Sequence, residues 1–188
     1  MAHRILAAAL VAAFAVERLA ELRYAGRNRR RLLAAGALEI GARDYPWMVV
    51  LHASFLISCL AEVWLLSPRV EWRLAAFMGA LLVAAQVLRF WSLRTLGRRW
   101  TTRILVLPGE EVVASGPYRW IRHPNYLAVA IEILALPLLL GAWRTAVVFS
   151  LANAWVLVRR VRSEERALGA LTDYHVHMKK RPRMVPWR

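Results

Sequence analysis

The strongest constraint on the fold is the alternation of long apolar runs with strongly basic segments. The apolar runs cover residues 5–22, 46–66, 74–93, 127–140 and 145–158. A membrane hydrocarbon core about 30 Å thick needs roughly 20 apolar residues in a helix. The fourth run is short for a full span and contains Pro137. We predict an all-α integral membrane protein with about five transmembrane helices, of which the last two form a helical hairpin.

The composition indicates the same class of protein. Soluble proteins are roughly 45–50% apolar, whereas 59% of this chain is apolar although its net charge is +15. The length of 188 residues suits one domain. In this domain, residues 1–93 would hold three spans and an amphipathic linker. Residues 94–188 would hold the last two spans and the polar segments before and after them. The single cysteine, Cys59, excludes an internal disulfide framework and lies in an apolar run, so we expect a packed thiol.

The distribution of positive charge predicts the orientation in the membrane. Segments 23–43, 94–122 and 159–188 contain 21 of the 27 Lys and Arg residues, while the connections 67–73 and 141–144 contain three. The positive-inside rule then places the N-terminus outside and the C-terminus in the cytoplasm. Basic residues that follow topology in this way indicate contact with anionic lipids rather than with nucleic acid. No protein partner is predicted.

Several polar residues lie within or beside the predicted spans. Gln86 and Arg89 are three residues apart, so they share a helix face that should contact protein or a water-filled cavity. His52 is expected to form an interhelical hydrogen bond. Glu17, Arg18 and Glu21 lie near one end of the first run, where we expect them to snorkel to the interface. Residues 28–41 are predicted to form a short amphipathic helix, broken by glycines, in the head-group plane.

Residues 115–126 form a polar, aromatic and turn-rich segment between two apolar blocks. Pro117 and Pro124 prevent one continuous helix through it. After the last apolar run, Arg160 and Glu164 are four residues apart and share a face if this segment is helical. Two interpretations are open: a ligand site at the cytoplasmic surface, or basic loops and a solvated helix end that contact lipid head groups.

The C-terminal half carries a combination of motifs: Ser115-Gly-Pro-Tyr118, Arg122-His-Pro-Asn-Tyr126, an apolar hairpin, Arg160-x-Arg-x-Glu-Glu165, Tyr174 and Pro186. From about residue 86 onward, it resembles the isoprenylcysteine carboxyl methyltransferase and phospholipid methyltransferase superfamily. These integral membrane enzymes use S-adenosylmethionine. The resemblance implies a cytoplasmic cofactor pocket between the segment before the hairpin and the helix after it. The cofactor-binding residues that it implies are Val112 and Val113, through their backbones, and Tyr118, His123, Pro124, Asn125, Tyr126, Glu164 and Glu165.

The N-terminal half is similar to a narrower, bacterial branch of this superfamily. The resemblance lies in Asn28-Arg-x-x-Leu-Leu-x-x-Gly-Ala-x-Glu39-x-Gly41, then Tyr45-Pro-x-Met48 and Leu51-His52. That branch methylates long-chain alkylpyrones and alkylresorcinols made by type III polyketide synthases, and it often has His where this chain has Asp44. The resemblance implies an inner-membrane enzyme that methylates an oxygen of a lipid-like acceptor, such as these compounds or a prenylcysteine carboxylate.

The roles of the acceptor-side residues depend on the chemistry of the acceptor. Arg160 corresponds to the superfamily arginine that faces the substrate, and we predict that it is catalytic. An ionised hydroxypyrone would need charge stabilisation, from Arg160 with help from Arg89 or Arg162. A phenol would need a general base, for which Glu39, His52 and Asp44 are candidates. The predicted substrate-binding residues are Arg160, Arg89, His52 and Glu39.

Other functions are compatible with the same sequence. One is a membrane sterol-type reductase that uses NADPH, because some of these reductases share the C-terminal hairpin and cofactor pocket. Another is a phospholipid N-methyltransferase, and a third is a non-enzymatic membrane protein whose loops bind anionic lipids. No metal site is predicted, since His175 and His177 lie in the tail as two unrelated polar residues.

Overall fold

The structure, a computed structural model, describes residues 1–184 and is mostly helical. Pro186, which belongs to the motifs above, lies outside the described residues. The helices are α1 (Ala2–Ala34), α2 (Tyr45–Leu66), α3 (Trp72–Leu96), α4 (Pro124–Leu139), α5 (Trp143–Leu171) and α6 (Tyr174–Met178). The strands are β1 (Leu38–Ile40) and β2 (Ile104–Val106), and single 3-10 turns occur at Ala42–Asp44, Gly97–Arg99 and Gly116–Arg119.

Within residues 1–184, two helical stretches are long and apolar enough to cross a membrane: Ala42–Leu66, with 25 residues, and Trp72–Arg99, with 28. Only 22% of the most apolar window of each is buried inside the protein. A core helix of a soluble protein would be mostly buried, whereas these helices present side chains such as Ile57, Phe77 and Val83 outward. The protein is therefore membrane-associated. Spans in α1, α4 and α5 remain predictions, because α4 is short and the other two mix apolar with charged residues.

The N-terminus and each connection between helices lie at one or the other end of the helix bundle. Near the N-terminus, the Arg4 guanidinium donates to Ser67 Oγ at 2.5 Å and to the Trp64 carbonyl oxygen at 3.2 Å. At the other end, the Asn28 amide donates to the Trp100 and Gly97 carbonyl oxygens at 2.8 and 3.1 Å. The two weakly basic connections thus share one end with the N-terminus. The three basic segments, the last of them as far as residue 184, lie together at the other end.

The region after the first apolar run differs from its prediction. In place of a separate amphipathic helix over residues 28–41, α1 continues to Ala34 and a strand follows. The arginines, leucines and alanines of this region favour helix, and Gly36, with φ of +93°, ends it. Strand β1 then pairs antiparallel with β2, with Glu39 opposite Leu105. The fold is therefore helical with a short two-stranded ribbon, which the all-α prediction did not include.

Charged side chains join α1, α3 and α4 inside the apolar layer. The Arg89 Nε donates to Glu21 at 2.6 Å, and Arg89 also lies 3.4 Å from a Glu132 oxygen. Arg18 donates to Glu21 at 2.8 Å, and Gln86 donates to Glu17 at 2.6 Å. The prediction that Gln86 and Arg89 face protein is confirmed. The prediction that Glu21 snorkels is wrong, because buried Arg89 holds it inside the bundle, where an unpaired charge would be costly.

A buried carboxylate on α2 caps the start of α5. Glu62 accepts hydrogen bonds from the backbone amide of Thr145 and from its hydroxyl, each at 2.7 Å, and from the Arg144 amide at 3.1 Å. The first amides of a helix have no partner within the helix. The α5 N-terminus has no side-chain cap of its own, so Glu62 satisfies these amides from a neighbouring helix.

We therefore expect Glu62→Ala to lower the free energy of unfolding by about 1–3 kcal/mol, since buried donors would lose their acceptor. The matched control is Glu71→Ala, which removes an exposed cap at the start of α3. Thermal unfolding in detergent should show a clearly larger loss for Glu62→Ala. Equal losses for the two variants would contradict the role assigned to Glu62.

Candidate functional site

A cavity of about 550 Å³ runs from the basic end of the bundle into the apolar layer. Its walls come from α1, α2, α3, the start of α4, α5, strand β2 and the segments before α4 and after α5. The predicted site residues that line it are Arg89, Val112, Val113, Tyr118, His123, Asn125, Tyr126, Arg160, Glu164 and His52. The cavity has the size and mixed lining of a small-molecule site.

The turn-rich segment before α4 has the broken backbone that its prolines predict. Gly116 has φ of +55°, and a Cβ there would lie 2.3 Å from Thr95 Oγ1, so a side chain would clash with α3. After a 3-10 turn, His123 precedes α4 and Pro124 occupies its first position. This geometry places His123 and Tyr126 at the beginning of α4, where they face α5.

A hydrogen-bonded cluster connects α4 with α5 at the centre of the cavity. The Tyr126 hydroxyl donates to Glu164 Oε2 and accepts from Arg160 Nε at 2.7 Å. The Tyr126 ring stacks on His123, with centroids 5.3 Å apart. Two stretches that are distant in sequence therefore meet at one ligand-accessible position.

Arg160 is held in place without a carboxylate partner among residues 1–184. Its Nη2 donates to the Thr102 carbonyl oxygen at 2.7 Å, and its Nη1 contacts only Met48 Sδ, at 3.4 Å. A thioether sulfur is a weak acceptor. The guanidinium thus keeps positive charge and one donor nitrogen for an anionic or polar oxygen in the cavity.

Polar atoms without protein partners also line the cavity. Asn125 Oδ1 is buried and has no hydrogen-bond partner within the described chain. Glu164 Oε1 makes no hydrogen bond with any described residue. Burial, together with the nearby Glu164 charge, raises the pKa of Tyr118, so its hydroxyl remains protonated and can donate. Unpaired polar atoms are costly in such a site, and a ligand with hydroxyl and amino groups would satisfy them.

Glu165, predicted to bind the cofactor, does not line this cavity. It accepts from His123 Nε2 at 3.2 Å, from Arg122 at 3.1 Å and from Arg183 at 2.7 Å. Burial alone would raise its pKa, but the hydrogen bonds from His123 and Arg183 hold the pKa of Glu165 well below its usual range. The structure therefore uses Glu165 to hold the C-terminal segment against the start of α4.

Three further candidates lie outside the cavity wall. Pro124 is buried behind it. Glu39 in β1 accepts hydrogen bonds from Arg29, at 2.7 Å, and from Arg103. Burial alone would raise the pKa of Glu39, but the two arginines lower it. Asp44 ends an exposed 3-10 turn before α2. Of the three candidate bases, His52 is the one that reaches the cavity. The prediction that His52 forms an interhelical hydrogen bond is wrong, because its Nδ1 bonds the Met48 carbonyl oxygen of the same helix.

Val112 and Arg89 also line the cavity, and both have protein partners. The Val112 amide donates to Asp173 Oδ1 at 2.9 Å, so only its carbonyl group could contact a cofactor through the backbone. Arg89 is held by Glu21, as described above, and its guanidinium forms part of the wall.

The sequence interpretation missed some site residues. Thr102 supplies a carbonyl oxygen to Arg160, and its hydroxyl lies 3.2 Å from the Tyr45 hydroxyl. Thr102 precedes β2, whose pairing with β1 is long-range and leaves little local signal. Asn153 also lines the cavity. Its position, seven residues before Arg160 on the same helical face, was a signal that could have identified it.

Comparison with known proteins gives the chain a family. The model of the isoprenylcysteine carboxyl methyltransferase (ICMT) family matches residues 77–170. An uncharacterised protein, YpbQ, from Bacillus subtilis is 41% identical over 160 residues, covering 85% of this chain and 94% of the relative. An uncharacterised Haemophilus influenzae protein is 28% identical over a region that covers 77% of this chain and 84% of the length of that protein.

A third relative is more distant. The cobalt-zinc-cadmium resistance protein CzcN of Cupriavidus metallidurans is 31% identical over a region that covers 50% of this chain and 45% of the length of CzcN. The family model covers the segment before α4 and the α4–α5 hairpin as far as residue 170, and this hairpin supplies Tyr126, Arg160 and Glu164. The chain belongs to the isoprenylcysteine carboxyl methyltransferase family, and its general class is that of a membrane methyltransferase.

Proposed function

We propose that this protein is an S-adenosylmethionine-dependent O-methyltransferase that acts on an amphiphilic acceptor at the cytoplasmic side of the inner membrane. The observation that carries the proposal is the meeting of Tyr126, Arg160 and Glu164 in one cavity. Family membership supports methyl transfer. The shared end of the three basic segments supports a cytoplasmic site under the positive-inside rule.

The lining of the cavity fits the chemical groups of S-adenosylmethionine. Glu164 Oε1 and Asn125 Oδ1 are acceptors for hydroxyl and amino groups. Val112 and Val113 offer apolar contacts for a base. The aromatic face of Tyr118 can stabilise a sulfonium cation. The Tyr126 ring already stacks on His123 and has the Arg160 guanidinium 5.6 Å from its centroid, so Tyr126 contributes mainly through its hydroxyl. When bound, S-adenosylmethionine supplies an electrophilic methyl group, and the protein's task is to position the acceptor and balance its charge.

Arg160 is suited to that task. Its guanidinium lacks a carboxylate partner in the described chain, and Tyr126 and Thr102 fix its plane. A preorganised cation of this kind stabilises and orients an acceptor oxygen that carries negative charge. Arg160 is one turn from Glu164, so this oxygen would lie beside the cofactor site.

The membrane side of the cavity suits a lipid-like acceptor. On the membrane side of Arg160, side chains of α1, α2 and α5 line the cavity, such as Leu19, Leu56 and Leu157. A long-chain alkylpyrone, an alkylresorcinol or a prenylcysteine carboxylate could place its head near Arg160 and its tail among these residues. A phospholipid amine, or a sterol-type substrate of an NADPH-dependent reductase, would use the same entrance. These alternatives are separated by the tests that follow.

The identity of the cofactor is tested by ligand-induced stabilisation. We expect S-adenosylhomocysteine to raise the melting temperature of the purified protein, because a ligand that binds only the folded state stabilises it. NADPH at the same concentration should have no effect. Stabilisation by NADPH alone would support the reductase, and the absence of a shift with either nucleotide would support a lipid-binding protein.

The role of Glu164 is tested by Glu164→Gln, which keeps the shape but removes the charge. We expect at least about tenfold weaker binding of S-adenosylhomocysteine, equal to about 1.4 kcal/mol, with the protein still inserted in the membrane. Arg166→Ala is a control on the same end of α5, where the Arg166 side chain donates to the Arg162 carbonyl oxygen. Unchanged affinity in Glu164→Gln would remove Glu164 from the cofactor site.

The role of Arg160 is tested by Arg160→Lys, which keeps the charge but loses the planar fork. We expect methyl transfer to fall by about 10²-fold or more, while the affinity for S-adenosylhomocysteine changes little. Arg159→Ala is the control, since Arg159 stacks on the exposed Trp155. Transfer of labelled methyl groups into a lipid extract of the host gives the rate and isolates the product. An unchanged rate would exclude Arg160 from the mechanism.

A further inference from the structure

Among the polar side chains that line the cavity, two lie on the membrane side of Arg160, on helices that face each other. His52 belongs to α2 and Asn153 to α5, and both line the cavity among apolar residues such as Leu56 and Leu157. Polar side chains inside an apolar layer are costly unless they have partners. Their positions and partners show what kind of ligand group would satisfy them.

Three contacts fix how α2 and α5 align. Arg160 contacts Met48, the Phe149 and Phe55 rings lie 5.6 Å apart, and Thr145 bonds Glu62. The two helices are therefore antiparallel, and the stretch from Met48 to Phe55 lies beside the stretch from Arg160 to Phe149. His52 and Asn153 both fall within these stretches. At 1.5 Å rise per residue, the backbone of Asn153 is about 10 Å from that of Arg160 along the α5 axis, toward the start of α5.

Asn153 has an unsatisfied acceptor. The residue is 2% exposed, and its Oδ1 has no hydrogen-bond partner among residues 1–184. Most buried amide oxygens in proteins have at least one donor. Asn153 lines the cavity, so a turn of its amide presents Oδ1 to a bound ligand, and a hydroxyl or N–H group is the donor that this position can receive.

His52 also presents an acceptor. Its Nδ1 lies 2.8 Å from the Met48 carbonyl oxygen, and because a carbonyl only accepts, Nδ1 carries the hydrogen. In the neutral ring, Nε2 then has a lone pair. Arg18 on α1 and Arg160 on α5 are the charged groups close enough to act on this ring electrostatically. Two acceptors on facing helices thus lie on the membrane side of Arg160.

We propose that His52 and Asn153 form a second polar subsite that binds a hydrogen-bond donor on the head of the acceptor, separate from the oxygen beside Arg160. This inference rests on the proposed function and narrows its substrate class. The acceptor has a compact head with at least two polar groups, one near Arg160 and one a hydroxyl or N–H that points toward the membrane interior. His52 and Asn153 then determine specificity by rejecting heads that lack this donor.

The test compares two probes with the same alkyl tail, a 5-alkylresorcinol with two hydroxyl groups and a 3-alkylphenol with one. Equilibrium binding is measured on the full protein in lipid nanodiscs without cofactor. We expect the wild-type protein to prefer the resorcinol by about tenfold. In Asn153→Leu, which removes the amide at similar size, this preference should disappear through weaker resorcinol binding. His52→Leu should reduce it as well.

The control is Ser150→Ala. Ser150 is also on α5, and its Oγ has no partner among the described residues, but it does not line the cavity. Loss of the preference in Ser150→Ala, its retention in Asn153→Leu, or its absence in the wild type would overturn the proposal. Asn153→Ser is measured as a second variant, and it should keep part of the preference.

Binding of S-adenosylhomocysteine by each variant reports folding and separates this inference from the proposed function. If the wild-type protein binds S-adenosylhomocysteine but does not distinguish the two probes, the subsite fails and the methyltransferase proposal stands. If it distinguishes the probes but does not bind S-adenosylhomocysteine, the subsite stands and the proposed cofactor fails.

Discussion

The contact between the start of α4 and the far end of α5 determines the architecture of the site. Helix α4 has 16 residues and α5 has 29, so at 1.5 Å per residue α5 is about 20 Å longer. The last turns of α5 therefore extend beyond α4 and form a wall for the cavity. The hydrogen bonds of Tyr126 with Arg160 and Glu164 join the two helices at this point. Glu165, on the adjacent face of α5, anchors the C-terminal segment through Arg183 and His123. Neighbouring carboxylates thus have different tasks: one is open to a ligand and the other stabilises the fold.

The position of the cavity explains why this chemistry is built into a membrane protein. One part lies among basic segments that water and a polar cofactor can reach, and the other continues between α1, α2 and α5. Glu21 and Arg89 beside it are paired with each other. Arg160 differs, because a hydroxyl, a carbonyl and a sulfur are its partners in the described chain. A cation without a direct carboxylate contact in the described chain, at the boundary between the polar and the apolar part of the cavity, suits an acceptor with a charged or polarised head and an apolar tail.

Much of the site was predictable because its signals are local. The prolines required a broken backbone before α4, and the i, i+4 spacing of Arg160 and Glu164 placed both on one face of α5. The ribbon was not predictable in this way, since strands of three residues are too short for a periodic pattern. The true length of α1 was missed because a polar segment ended the apolar run, although its residues still favour helix. The task of Glu165 depends on partners at positions 122, 123 and 183, which only the tertiary fold brings together.

The most direct test of the account is an experimental structure of the protein in lipid with S-adenosylhomocysteine bound. The account predicts density for the nucleoside in contact with both Tyr126 and Glu164, with its sulfur on the side that faces Arg160 and the apolar part of the cavity. Density for the ligand at another surface, or a structure in which Tyr126 and Glu164 are too far apart to contact one nucleoside, would contradict the central claim.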